Sequence, residues 1–203
     1  MARRTKKDAL ETRKQILIHA LDVFSRKGYS RTTFVDIANQ IGLTKGAVYG
    51  HFKSKPDLLV SLIEEAIKRK HHREDNPNEL EPSIETLRYC YLHTAKNMLK
   101  DPFLKKFEFF IQFQIEWSEE LLLEVRTRLA EIGADPFRMY SVAIQRLQEL
   151  KKIEAHHDAE QLGAMLIAMW MGSIRMLMIG CVSEAHLLQN LEKQFNSLFN
   201  DLT

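Results

Sequence analysis

The sequence predicts an all-α protein of about ten helices, and three observations carry that prediction. No stretch alternates apolar and polar residues with the β-branched enrichment of a half-buried strand. Only eight glycines and five prolines occur in 203 residues, too few for a loop-rich β-sandwich. Helix-start signals recur along the chain. Thr33-x-x-Asp36, Ser54-x-x-Asp57 and Asp158-x-x-Gln161 have the spacing of a capping box or a near relative. Asp101-Pro102 and Asp135-Pro136 set a cap residue before a proline suited to a first helical turn. Apolar residues make up 45% and charged residues 28%, so a sizeable core can form and the composition argues against intrinsic disorder. The helices are expected at roughly 6–27, 34–41, 45–51, 55–72, 83–100, 103–117, 119–132, 136–153, 159–181 and 184–201.

The first helix carries Leu10, Ile16, Leu17, Ala20, Leu21 and Phe24 on one face, with Arg13, Lys14 and Arg26 elsewhere. Such a stripe needs partners, and the short helices that follow supply them. Thr33 caps a helix of about two turns whose inward residues are Ile37, Ala38 and Ile41. Gly42 stands where a helix commonly ends in the left-handed conformation, Leu43 is an apolar plug, and Thr44 caps a new helix with Val48 turned inward. A small residue at the close approach, a glycine at the sharp turn and a locking valine are the spacing of a helix-turn-helix, whose second helix enters a DNA major groove. The opposite face of that second helix offers Lys45, Gly46, Tyr49 and His51, none needed for packing.

Charge points the same way. Residues 1–55 hold twelve Lys/Arg against four Asp/Glu, a net of +8, whereas the rest of the chain is net negative at −6. A basic head on an acidic body suits a polyanion-binding module joined to a second domain. The division is expected at residues 1–54, the DNA-binding head with its recognition helix at about 45–51, and 55–203, with helix 55–72 linking the two. Arg73–Glu81 is the one obvious polar linker.

The run TRKQILIHALDVFSRKGYSRTTFVDIANQIGLTKGAVYGHFKSKPDLL resembles the DNA-binding domain of TetR-family transcriptional regulators, most closely the repressors of multidrug efflux pumps. The likeness covers residues 10–60 and rests on Phe24 and Gly28, T-T-x-x-x-I-A, G-L-T-K-G-A-V-Y, H-F and K-x-x-L-L. It implies that Thr33 meets a backbone phosphate at a helix N-terminus, and that Thr44 and Lys45 face base edges or flanking phosphates. It implies further that Tyr49 and His51 contact phosphate or sugar and that Lys55 pairs with a phosphate. Gly50 departs from the family pattern, where a larger side chain is usual, and within a helix it costs about 1 kcal/mol against Ala.

The body is read as a larger helical domain for effector binding and dimerisation. One stripe of the aromatic helix reads Phe107, Phe110, Gln114 and Trp117, and the helix before it presents Leu87, Tyr91, Ala95 and Met98. Two readings stand side by side: a core satisfied from within, and a largely apolar pocket with Tyr91 and Gln114 as polar anchors. The resemblance raises the second and implies a small hydrophobic effector. Residues 162–182 are the most apolar stretch, long enough to span a membrane but interrupted by Arg175. They are read instead as a buried helix whose Ala164, Ala168 and Gly172 form a small-residue stripe. With Leu187, Leu188, Leu191, Phe195, Leu198 and Phe199 of the last helix, that stripe makes a homodimer face.

The expected function is therefore a ligand-responsive repressor that binds a palindromic operator on double-stranded DNA as a homodimer. A factor without effector control, or an activator, is the alternative. No signal peptide is visible, and the two cysteines are far apart, which fits a cytoplasmic protein. No cofactor is expected and no enzyme. A di-metal bundle enzyme needs two Glu-x-x-His pairs, and Glu154-x-x-His157 is the only one. His71-His72 and His156-His157 are adjacent pairs that would not share a helix face, so they are read as solvated and no metal is assigned.

Overall fold

The computed structural model describes residues 6–71, 81–133 and 135–200. Among them there are ten helices and no strand: α1 (Lys6–Lys27), α2 (Phe34–Gln40), α3 (Lys45–Tyr49), α4 (Lys55–Lys70), α5 (Ile84–Lys100), α6 (Pro102–Phe113), α7 (Glu119–Glu131), α8 (Pro136–Glu149), α9 (Ala159–Met178) and α10 (Glu184–Phe199). The polar linker expected at 73–81 lies, but for Glu81, outside the described residues.

The chain forms two compact units. One contains residues up to Ala66 together with Lys105–Ile132; the other contains Ile67–Leu104 and Gly133 onward. This division does not run at residues 54 and 55. Most of α4, up to Ala66, belongs with the head because Leu58, Leu59 and Leu62 are fully buried there. Most of α6, from Lys105 on, joins the head as well: Phe110 stacks on Phe24 of α1 at 5.4 Å between ring centroids.

In the first unit, α1 buries Ile16, Leu17, Ala20, Leu21 and Phe24, as its periodicity predicts. Leu10 is 68% exposed, so the apolar stripe extends beyond its partners. Gly28 ends the helix with φ +81°, its amide donating to the Phe24 carbonyl at 2.9 Å. Two predicted helices stop four residues early. Helix α6 ends at Phe113 rather than near Trp117, because Glu116 is drawn away to accept from the Ser30 amide (3.3 Å) and hydroxyl (3.1 Å), and Ser118 then caps α7. Helix α8 ends at Glu149 rather than 153, closing on Lys151 at φ +56°.

In the second unit, Tyr91 is the hub. Its ring lies 5.7 Å from those of Tyr140 and Phe195 and 6.0 Å from Trp170, joining α5, α8, α9 and α10. Helices α8 and α9 approach closely at Gly163, where an added Cβ would stand 2.8 Å from the Ser141 amide nitrogen. Helix α9 is long and apolar enough to cross a membrane, yet it buries Leu162, Gly163, Leu166, Trp170 and Ile174 within the unit. Ala164, Ala168 and Gly172 lie on its exposed side.

Candidate nucleic-acid interface

Helix α2 begins at a complete capping box. The Thr33 hydroxyl accepts from the Asp36 amide at 3.3 Å, while the Thr33 amide and hydroxyl both donate to Asp36 Oδ2 at 2.8 Å. The other carboxylate oxygen takes a bond from Lys27 Nζ at 2.5 Å. Lys27 and the two donors of Thr33 together hold the Asp36 carboxyl well below its ordinary 3.8, at about 2. A phosphate bound by Thr33 must therefore compete with an internal carboxylate for the same donors.

The turn is built as its residues require. Ile41 and Gly42 donate to the carbonyls of Ala38 and Asn39, Gly42 has φ +66°, and the Leu43 amide returns to Ala38 at 2.9 Å. Phe34, Ile37 and Ala38 are buried; Ile41, expected inward, is only partly so. Thr44 caps α3 through its hydroxyl, which accepts from the Ala47 amide at 3.2 Å.

Of the five residues in α3, only Val48 is buried. Thr44, Lys45 and Gly46 are exposed, as is half of Tyr49. Tyr49 is seated rather than loose: its ring meets Phe34 edge-on at 4.8 Å, and Lys45 Nζ lies 5.4 Å from its centroid. His51 follows, partly exposed. Gly50 is the C-cap of α3, at φ −66°, so the penalty for a glycine inside a helix does not arise there. Lys55 is half-buried, and its ammonium serves the protein. It donates to the Tyr29 and Ser30 carbonyls at 2.9 and 3.0 Å and sits over the Tyr29 ring.

Thr33, Thr44, Lys45, Gly46, Tyr49, His51 and Lys55 thus all fall between the N-cap of α2 and the start of α4, in one compact unit. Short helices of this kind are held by their caps and by Val48, and they present a donor-rich, cationic edge with little backbone freedom. That is what a rigid reader of a phosphate-lined groove needs. Asp36 is the capping-box partner that the sequence offers, whereas the supporting roles of Lys27, Arg13 and Glu116 are not legible there. Arg13 donates to Ser61 at 2.7 Å and lies over the Phe52 ring, and no spacing rule links positions 48 residues apart.

Residues 16–62 match the family model for bacterial regulatory proteins of the tetR family. Over those residues the chain is similar to that family's DNA-binding domain. It is 27% identical over 178 residues to the HTH-type transcriptional regulator TtgR of Pseudomonas putida, covering 86% of this chain and 84% of that one. Over 64 residues, 32% of this chain and 30% of the other, it is 50% identical to the HTH-type transcriptional regulator AcrR of Shigella flexneri. Its fold is that of NalD, described as the secondary repressor of the MexAB-OprM multidrug efflux pump in Pseudomonas aeruginosa. The TM-score is 0.72 at 20% identity over 97% of this chain and 98% of that one. These relatives are regulators of transcription, not enzymes.

The other candidates divide between the two units. Tyr91 is in the second, fully buried, its hydroxyl donating to the Leu166 carbonyl at 3.2 Å; burial pushes its ionisation up. It is a satisfied core tyrosine, not a free polar anchor. Phe107 and Phe110 are core residues of the first unit, and Trp117 is on the surface. Gln114, also in the first unit, has its Oε1 buried without a hydrogen-bond partner. In the second unit a cleft of about 250 Å³ is lined by Ile84, Glu85, Arg88, Phe195, Asn196, Phe199 and Asn200.

Of the dimer candidates, Ala164, Ala168 and Gly172 face outward and Leu188 is half-buried. Leu191 and Phe195 correct the expectation. They are 0% and 1% exposed, because Phe195 packs on Tyr91 and Phe199 within the chain and leaves nothing for a partner. The apolar face of α10 already has its cover.

Proposed function

We propose that this chain is a cytoplasmic repressor that binds a palindromic operator as a homodimer and leaves it when a small hydrophobic effector binds. The observation that carries the DNA part is α3. One inward valine fixes the helix, and every other residue from Thr44 to Tyr49 except Ala47 is open to an incoming groove. One such helix reads too few base pairs for useful specificity, and a two-fold pair reads an inverted repeat.

The dimer is supported by α9. Beside Ala164, Ala168 and Gly172, its exposed residues include Met165, Met171 and Met176, an apolar stripe interrupted by the exposed Arg175, on a helix whose other face is already packed. Surfaces of this kind are covered in use. The effector response and the control of efflux genes rest on the resemblance of residues 10–60. No side chain is assigned to the effector beyond the orphaned Gln114 carbonyl.

The test is binding of the full chain to the DNA beside its own gene, followed by anisotropy across a salt series and by footprinting. The expected result is protection of an inverted repeat by two chains, with affinity falling steeply as salt rises. No preference for that duplex at low ionic strength would overturn the reading. Adding hydrophobic amphiphiles to the complex tests the effector. A compound that releases DNA must bind the DNA-free protein more tightly, by the same factor.

A further inference from the structure

The turn between α8 and α9 brings Glu154, His156 and His157 together, one donor atom from each lying within 4.8 Å of the others. Adjacent histidines diverge on a helix, but residues 150–158 are not helical, so that argument does not reach this pair. The two imidazole rings are 3.9 Å apart between centroids, and His156 Nδ1 is 2.9 Å from Glu154 Oε2. From this geometry we infer a binding site for a borderline divalent cation of the Zn²⁺ type, with two imidazoles and one carboxylate as ligands.

The turn carrying these ligands is built, not merely crowded. Gln148, in the last turn of α8, donates its side-chain amide to the Glu154 carbonyl at 3.1 Å and to the His157 carbonyl at 2.8 Å. That single amide ties down both ends of the ligand segment. Ile153 anchors it to the core at 2% exposure, and His157 itself is partly buried. Asp158 Oδ1 accepts from the Glu160 and Gln161 amides, so its charge answers the positive end of α9 and opposes the cation's repulsion there. The neighbouring cation Lys152 is turned away, donating to Glu81 Oε1 at 2.6 Å and to the Pro82 carbonyl at 2.8 Å.

Ligands of a tetrahedral zinc stand about 3.3 Å apart for bonds near 2.0 Å. Closing the observed spread to that value calls for rotation of the exposed Glu154 and His156 side chains toward the partly buried His157. Three protein ligands leave the fourth position to water. Imidazole donors favour zinc or nickel over magnesium and calcium, which prefer all-oxygen shells. Occupancy would cross-link the segment between α8 and α9 and so stiffen that hairpin.

The test is calorimetric titration of the full chain, free of any histidine tag, with zinc chloride and, separately, magnesium chloride. One zinc per chain and no magnesium are expected. His156→Ala and His157→Ala should each weaken zinc by at least about tenfold, and Gln148→Ala by about tenfold although it is not a ligand. Cobalt(II) should give visible ligand-field bands with no thiolate charge-transfer band, which separates this site from Cys90 and Cys181. Circular dichroism checks that these surface variants keep their helices. Zinc binding absent below about 1 mM, or undiminished in the doubly substituted His156→Ala/His157→Ala chain, would overturn the site. DNA binding by metal-free protein is measured independently, so failure here leaves the operator reading standing.

Discussion

Lys55 closes over Tyr29: its ammonium bonds the Tyr29 carbonyl at 2.9 Å and stands 4.7 Å from the centre of the same residue's ring. The lysine expected to meet a phosphate thus also fastens the start of α4 to the turn after α1. Burial lowers its pKa from the ordinary lysine value, and the nearby Glu116 carboxylate pushes it back up.

Two lysines of the same head should consequently behave differently. Lys55→Ala removes charge-assisted bonds to two carbonyls and should cost about 1–3 kcal/mol of stability, read as a lower urea midpoint. Lys45→Ala, exposed on α3, should leave that midpoint unchanged and relax base preference in a binding assay across operator variants. Equal stability losses in the two variants would contradict the assignment.

The capping box at α2 makes an acid prediction. Asp36 ionises near 2 in the folded chain against an ordinary 3.8. The folded state therefore gains from the carboxylate fully above pH 3.8, and loses that gain as pH falls toward 2. Thr33→Ala and Asp36→Asn should each cost about 0.5–2 kcal/mol at neutral pH. The Asp36→Asn chain should also show a shallower loss of stability between pH 4 and 2 than the parent, in denaturation curves taken at each pH.

Alkali should act through three tyrosines. Burial raises the ionisation of Tyr29, Tyr91 and Tyr140 above the ordinary 10.0. The unfolded chain then releases these protons first, so stability is intact below pH 10 and declines as pH rises above it. Tyr140→Phe should flatten that decline, measured as Tm from pH 8 to 11. A decline as steep as the parent's would show that Tyr140 ionises normally in the folded chain.

The two glycines of α9 separate packing within the chain from packing between chains. A Cβ at Gly163 meets the Ser141 backbone at 2.8 Å, whereas one at Gly172 meets nothing within 4 Å. Gly163→Ala should lower stability by about 1–3 kcal/mol through overpacking. Gly172→Glu should be accommodated by the isolated chain, yet place an unpaired charge in the proposed dimer face. Sedimentation should then show monomers where the parent shows dimers.

Much of this molecule can be read from local chemistry. The ten helices, the capping box at Thr33, the left-handed Gly42 and the inward Val48 all depend on residues within four positions of one another, so periodicity and capping rules reach them. The candidate DNA edge was legible for the same reason, since one short segment supplies nearly all of it. Long-range packing set the rest. No pattern in the chain foretells that Glu116 ends α6 by turning to Ser30, or that Phe110 stacks on Phe24 and draws α6 into the head. The amphipathic face of α10 shows the limit most plainly. Periodicity says that Leu191 and Phe195 must be covered, but only three-dimensional proximity to Tyr91 determines that the cover is the chain's own core rather than a second copy.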